Sequence, residues 1–248
     1  MIAYRKISEL VEENYSYAYV LDCFGIEFYK LEDQTLGDAC FQNKVLIDHV
    51  RQSIKNLSNH SRIDPQLLER GSIGLVVAYL KHSHHVFVKR SLPYMSKLIK
   101  ELNKTDYLFP QIICDLQVVF PLFVEDFIRH IHEEEDLLFS YINKLLKIDK
   151  GELVYTKAFF DLESMNLMDV ALDHSDTDDE MAGIRKLTSN YKIGVESDLL
   201  LAVLFKELRQ FENDLVFHAN IENKILFTKA FELEARVKSK ISKFIPQN

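Results

Sequence analysis

The pattern of apolar and polar positions predicts a chain built almost entirely from helices. Apolar residues recur every three or four positions over four long stretches, near residues 73–103, 110–147, 158–190 and 197–240. Strand-like alternation is absent over any useful length. Four amphipathic helices joined by modest loops predict an antiparallel four-helix bundle, so the predicted fold class is all-α.

The chain ahead of these stretches has shorter helical periods and predicts a small helical N-terminal domain over residues 1–60. A polar connection follows, in which Asp64, Pro65 and Gly71 are expected to break regular structure. The bundle is then predicted to span residues 71–245. Pro93 lies inside its first helix and is expected to kink or interrupt it.

Composition narrows the classes of function. The 248 residues carry a formal net charge of −8, which argues against sequence-independent binding to nucleic acid or to an anionic membrane surface. No secretory signal is visible, and no apolar stretch approaches the roughly 20 residues that a membrane span needs. The three cysteines are widely spaced and form no disulfide framework, so a cytoplasmic location is expected.

Two of the predicted helices carry the same His-x-x-x-Glu pattern. It occurs in "HIHEEEDLLF" as His130 and Glu134, and in "HANIENKILF" as His218 and Glu222. Residues four apart lie on one face of an α-helix, and in both cases that face also carries apolar residues. Each pair alone could be an ordinary hydrogen bond at the edge of the core. The alternative is that both pairs hold a metal.

The other two helices each add one inward histidine, which favours the metal. Helical periodicity places His85 on the apolar stripe of the first helix and His174 on that of the third. Burying four histidines and two glutamates without a shared partner would cost on the order of several kcal/mol. A dinuclear metal site removes that cost. His84 is expected beside this site or at its entrance, whereas His132, Glu133 and Glu135 are expected in solvent.

The ligand types indicate the class of metal. Four histidines and two carboxylates suit first-row transition metals, and a nitrogen-rich set of this kind disfavours an oxidase or peroxidase of the carboxylate class. If both glutamates bridge two ions, an oxo or hydroxo bridge leaves one coordination position open for a small ligand. Two iron ions are the predicted cofactor, with zinc or manganese left open. The predicted ligands are His85, His130, Glu134, His174, His218 and Glu222.

The segments around these residues resemble a known family. "HHVFVKRSLPYM", "HIHEEEDLLF", "DHSDTDDEMAGIRKLT" and "FHANIENKILFTKAF" are similar to the four ligand helices of the hemerythrin-like di-iron proteins that repair iron-sulfur centres under nitrosative and oxidative stress. The resemblance selects His85 over His84 in the first helix, because the family's ligand precedes a proline by eight positions. It also implies that the acidic residues Asp126 and Asp173 serve proton transfer or line an access path.

The resemblance extends to the N-terminal domain, with one departure. "VLDCFGIEFYKLEDQTLGDAC" is similar to the small domain that precedes the bundle in this family. Family members usually carry adjacent cysteines where this chain has Tyr29 and Lys30, and of the family's cysteines only Cys40 is kept. A thiol-based step in this domain is therefore not expected.

The resemblance implies a metal-binding stress or repair protein more than a classical enzyme. The expected function of the protein is the repair of damaged iron-sulfur clusters, by delivering iron or by handling NO. The alternative is a di-iron sensor or carrier that binds O₂ or NO without turnover. The expected partners are these diatomic ligands and damaged iron-sulfur proteins, with no nucleic acid and no membrane. A homodimer is left open.

Overall fold

The computed structural model describes residues 2–57, 63–102, 110–153, 167–176, 179–192 and 198–244, without the side chains of residues 110, 172–176 and 244. Across these ranges the regular structure is helical, and no strand forms; one isolated β-bridge pairs Lys6 with Thr35. The predicted all-α helical fold is confirmed. No helix in the described ranges has both the length and the apolar character of a membrane span.

Short helices make up the first part of the chain, in agreement with the sequence. They are α1 (Ile7–Glu13), α2 (Ser16–Cys23), α3 (Leu36–Gln42), α4 (Ile47–Leu57) and α5 (Pro65–Arg70). The last of these lies in the stretch expected to be a polar connection. Asp64 caps it by accepting a hydrogen bond from the backbone N–H of Gln66, and Pro65 occupies the first helical position, where its missing N–H costs nothing.

Three of the four long predicted helices are continuous, and each contains one π-helical segment. The elements are α6 (Ile73–Val86), π1 (Phe87–Ser91), α7 (Leu92–Glu101), α8 (Pro110–Glu134), π2 (Glu135–Phe139), α9 (Ser140–Asp149), α12 (Leu199–Ile221), π3 (Glu222–Leu226) and α13 (Phe227–Phe244). The interruption expected at Pro93 takes the form of π1, which ends two residues before the proline. A π turn places one extra residue in the helix, and such turns are frequent at functional sites.

The third long helix was predicted to be continuous, but the structure divides it. Its described part contains α10 (Leu167–Asp176) and α11 (Ala182–Leu187), and residues 179–181 between them are not helical. The predicted N-terminal portion of this helix lies outside the described residues.

The chain divides into two compact units. Unit 1 comprises Met1–Ile63, Pro93–Val118 and Ile184–Phe211, and unit 2 comprises Asp64–Leu92, Val119–Gly183 and Glu212–Asn248. Unit 1 contains α1 to α4, and its buried core includes Leu10, Leu21, Ile26, Phe28 and Leu36. The predicted domain boundary between residues 60 and 71 stays a prediction.

Unit 2 is held together by apolar packing and by hydrogen bonds between helices. The Tyr141 hydroxyl donates to Glu234 Oε1 at 2.5 Å, and Lys240 Nζ donates to Asp149 Oδ1 at 2.6 Å, so both contacts join α9 to α13. Lys240 holds the pKa of the Asp149 carboxyl below its ordinary value through this hydrogen bond. Lys229 Nζ donates to the carbonyl oxygens of Glu69 and Gly71, which ties α13 to the end of α5.

Candidate metal centre

Four buried polar residues meet inside unit 2. We call them the four-residue cluster: His84 near the end of α6, Glu134 at the end of α8, His218 in α12 and Glu222 at the start of π3. Their exposed fractions are 3%, 7%, 7% and 1%. Each offers one ligand atom, and these atoms all lie within 4.8 Å of one another. Because acidic residues are almost never fully buried unless they are paired, this cluster needs a physical explanation.

The contacts within the cluster converge on the Nε2 atoms of the two histidines. His84 Nε2 lies 3.1 Å from His218 Nε2 and 3.4 Å from Glu134 Oε2. His218 Nε2 lies 3.0 Å from Glu222 Oε1, as the His-x-x-x-Glu spacing predicted. Two imidazole nitrogens and two carboxylates therefore face one small volume.

Burial changes the charge state of these groups. Burial raises the pKa of the Glu134 carboxyl well above its ordinary value, and the neighbouring Glu222 carboxylate raises it further. Burial also lowers the pKa of His84 to about 4, with the adjacent His218 contributing in the same direction. Near neutral pH, His84 is therefore a neutral imidazole, the form that binds metals. A bound cation would favour the ionised form of the carboxyl group.

The donor atoms of the cluster fit a transition-metal ion. Glu134 Oε1 and His218 Nδ1 are buried, and no other group in the described part of the chain forms a hydrogen bond with either. Unsatisfied buried polar atoms of this kind are costly, and a metal ion would offset that cost. A mixed set of imidazole and carboxylate ligands suits iron, zinc or manganese. The four-residue cluster could therefore hold a metal ion.

A cavity of about 50 Å³ opens beside the cluster. Phe127, Ile131, Met181 and Leu215 provide apolar walls, so the cavity borders the ligand atoms on a largely apolar surface. A cavity of this size has room for small molecules, since a water molecule needs roughly 10–15 Å³ of such space.

His130, a predicted ligand, lines this cavity instead of joining the cluster. Its side chain is 38% exposed, and its Nε2 atom lies 3.7 Å from Glu180 Oε1. The sequence did not single out Glu180, because residues 179–181 were expected to be helical. The non-helical turn before α11 brings this carboxylate to the cavity wall.

The structure reverses the expected orientations of His84 and His85. His84 is buried in the cluster, whereas His85 is exposed. In an uninterrupted α-helix, residues seven apart share a face, so counting back from buried Leu92 selects His85. The extra residue in π1 moves the stripe by one position, to His84. The inward orientation predicted for His85 is therefore wrong.

Three other predictions about residues around the site have different outcomes. Asp126 was expected to serve proton transfer or to line an access path; its side chain is exposed and pairs with Arg129 at 2.9 Å, and its role stays a prediction. His132 is exposed, as expected. The side chains of Asp173 and His174 lie outside the described part of the structure, so their predicted roles stay predictions.

Glu135 is the other functional candidate that the sequence missed. It was expected in solvent with Glu133, yet its side chain is only 30% exposed and its Oε1 atom lies 2.9 Å from His84 Nδ1. The run of three glutamates after His132 hid this contact, since nothing in residue type distinguishes the three carboxylates.

The known proteins to which this chain is similar are described as iron-sulfur cluster repair proteins. No protein-family model matches it. The iron-sulfur cluster repair protein ScdA of Staphylococcus haemolyticus is 22% identical over 225 residues, which cover 90% of this chain and 96% of the relative. ScdA of Staphylococcus epidermidis is 25% identical over 182 residues, covering 71% of this chain and 73% of the relative.

A third relative comes from a different bacterial genus. The iron-sulfur cluster repair protein YtfE of Dickeya chrysanthemi is 20% identical over 211 residues, which cover 85% of this chain and 89% of the relative. Relatives with this description over most of the chain confirm the resemblance to iron-sulfur cluster repair proteins that the sequence predicted.

Proposed function

We propose that this protein supports the repair of damaged iron-sulfur clusters and that its four-residue cluster holds iron. One observation carries the proposal. Two histidines and two glutamates from three helical segments bring ligand atoms within 4.8 Å of one another, in a chain similar to iron-sulfur cluster repair proteins. A buried set of this kind has little structural use without a cation.

The proposed centre holds two iron ions. Glu134 and Glu222 carry two oxygen atoms each and could bridge the ions, while His84 and His218 each supply one nitrogen. His130 lines the adjacent cavity, from which its ring could turn toward a second ion. His174 completes the set by resemblance to the family. The proposed ligands are thus His84, His130, Glu134, His174, His218 and Glu222.

The residues around the cavity control what reaches the centre. Phe127 and Leu215 contribute apolar surface to the lining of the cavity, and its volume of about 50 Å³ has room for diatomic molecules. Asp179, Glu180 and Glu212 also line the cavity and would attract cations to it. Bound iron would supply an open coordination position for NO or O₂, or labile iron for a damaged cluster.

The test is the recovery of a damaged iron-sulfur enzyme. The protein is loaded anaerobically with Fe²⁺ and mixed with an iron-sulfur dehydratase that NO has inactivated. We expect the dehydratase to regain activity with wild-type protein and with the surface variant His132→Ala, but not with Glu222→Ala. Reversible uptake of NO by the loaded protein without any recovery would contradict repair and favour the alternative, a gas-binding sensor or carrier.

A further inference from the structure

Two consecutive carboxylates contact the two nitrogens of one buried imidazole. Glu134 Oε2 lies 3.4 Å from His84 Nε2, and Glu135 Oε1 lies 2.9 Å from His84 Nδ1. Consecutive residues of a helix diverge by about 100°. Glu134 and Glu135 therefore reach His84 from two directions, one inside the four-residue cluster and one outside it.

The contact between His84 and Glu135 determines which nitrogen of His84 carries the proton. An ionised carboxylate only accepts hydrogen bonds, so at 2.9 Å the Nδ1 atom must donate to Glu135. A neutral imidazole has one N–H and one lone pair. With the proton on Nδ1, the lone pair is on Nε2, the atom that faces His218 and Glu134.

The surroundings hold this arrangement in place. Lys81 Nζ lies 3.6 Å from Glu135 Oε2, so the second oxygen of the carboxylate faces a cation. The His84 ring stacks on the fully buried ring of Phe139, with centroids 5.6 Å apart and planes 12° apart. The hydrogen bond with Glu135 fixes the edge of the imidazole ring, and the stacking on Phe139 fixes its face.

We propose that Glu135 is a positioning residue that holds His84 in the Nδ1–H tautomer and directs its Nε2 lone pair into the metal site. The inference rests on the proposed function in so far as His84 binds the metal. Carboxylates that accept a hydrogen bond from a metal-binding histidine fix its tautomer and orientation, and removing them typically weakens metal binding 10- to 100-fold.

The experiment compares three variants of the full-length chain. Glu135→Ala removes the acceptor, and Glu135→Gln keeps an acceptor oxygen without the charge. Glu133→Ala removes the same charge from an exposed position two residues earlier. Circular dichroism establishes that each variant is folded. Nitrogen-15 NMR of the imidazoles then reports the tautomer of His84 in metal-free protein, and competition with a chelator reports the affinity for Fe²⁺ under anaerobic conditions.

We expect the Nδ1–H tautomer in the wild type, in Glu133→Ala and in Glu135→Gln, and its loss in Glu135→Ala. Affinity for Fe²⁺ should fall about 10- to 100-fold in Glu135→Ala and stay within a few-fold of wild type in Glu135→Gln. A wild-type proton on Nε2, or unchanged affinity in Glu135→Ala, would overturn the inference. If the wild type binds no Fe²⁺, the proposed function fails, while the tautomer measurement still decides the role of Glu135.

Discussion

The Nε2 atoms of His84 and His218 lie 3.1 Å apart, although the two residues are 134 positions apart in the chain. Both rings are buried, and their planes are tilted by 44° with centroids 4.8 Å apart. In metal-free protein, one nitrogen of this pair has to donate a hydrogen bond to the other. A cation between them would instead accept a lone pair from each. This contact therefore connects the fold to the proposed metal chemistry.

Matched substitutions at two adjacent histidines test the position of the first-helix ligand. His84→Ala should reduce iron binding strongly, because it removes a buried imidazole of the cluster. His85→Ala should leave iron binding close to wild type, because His85 is exposed. Iron content after anaerobic loading and gel filtration measures both. Loss of iron in His85→Ala with retention in His84→Ala would restore the assignment predicted from the sequence.

The helices could be predicted from the sequence because their apolar stripes are long. The expected stretches near 73–103, 110–147 and 197–240 match the helical segments 73–101, 110–149 and 199–244 within a few residues. Hydrophobic periodicity depends on burial along a whole face, so one irregular turn hardly changes it.

Single-residue register could not be predicted in the same way. The extra residue in π1 shifts the buried face from His85 to His84. Both positions hold a histidine, so the pattern of residue types looks the same in either register. The π turn depends on backbone hydrogen bonding, which residue types alone do not reveal. For the same reason the sequence could not separate Glu135, which contacts His84, from its exposed neighbour Glu133.

Removing the metal should lower the melting temperature. A ligand present at about 100 times its dissociation constant stabilises the folded state by about 2.7 kcal/mol, which corresponds to roughly 5–10 °C for a chain of this size. Differential scanning calorimetry of iron-loaded and chelator-treated protein measures the shift. Identical melting curves would mean that iron does not bind where helices α6, α8 and α12 meet.

The stability of metal-free protein should depend on pH through Glu134. Its pKa is raised in the folded state by burial and by Glu222, whereas an unfolded chain has the ordinary value of about 4.3. Above that pH the folded state retains a proton that the unfolded state releases. Stability therefore falls as pH rises, until the folded carboxyl group ionises.

The variant Glu134→Gln isolates this effect because its side chain is similar in shape and does not titrate. We expect the melting temperature of metal-free wild type to fall relative to that of Glu134→Gln as the pH rises above about 4.3, the ordinary pKa of the carboxyl group. Thermal unfolding followed by circular dichroism measures the difference. A difference that stays constant over this range would show that Glu134 has an ordinary pKa.

The cysteines of the N-terminal helices should differ in reactivity. Cys23 is exposed, whereas Cys40 is 2% exposed and burial raises the pKa of its thiol. Thiolates react faster than thiols, so a maleimide should label Cys23 in native protein and Cys40 only after unfolding. Mass spectrometry of peptides measures both. A disulfide between Cys23 and Cys40 after mild oxidation would contradict the expected loss of thiol chemistry in this domain.

Iron content per chain shows whether the four-residue cluster belongs to a site for two iron ions. Wild-type protein and the variants Glu222→Ala and His132→Ala are loaded anaerobically with Fe²⁺, desalted and analysed by atomic emission. We expect two iron ions per chain in the wild type and in His132→Ala, whose substituted side chain is exposed. We expect Glu222→Ala to lose most of both, because the proposed bridging carboxylate would contact both ions. Wild-type protein without iron, or Glu222→Ala with two ions per chain, would contradict the proposed di-iron centre.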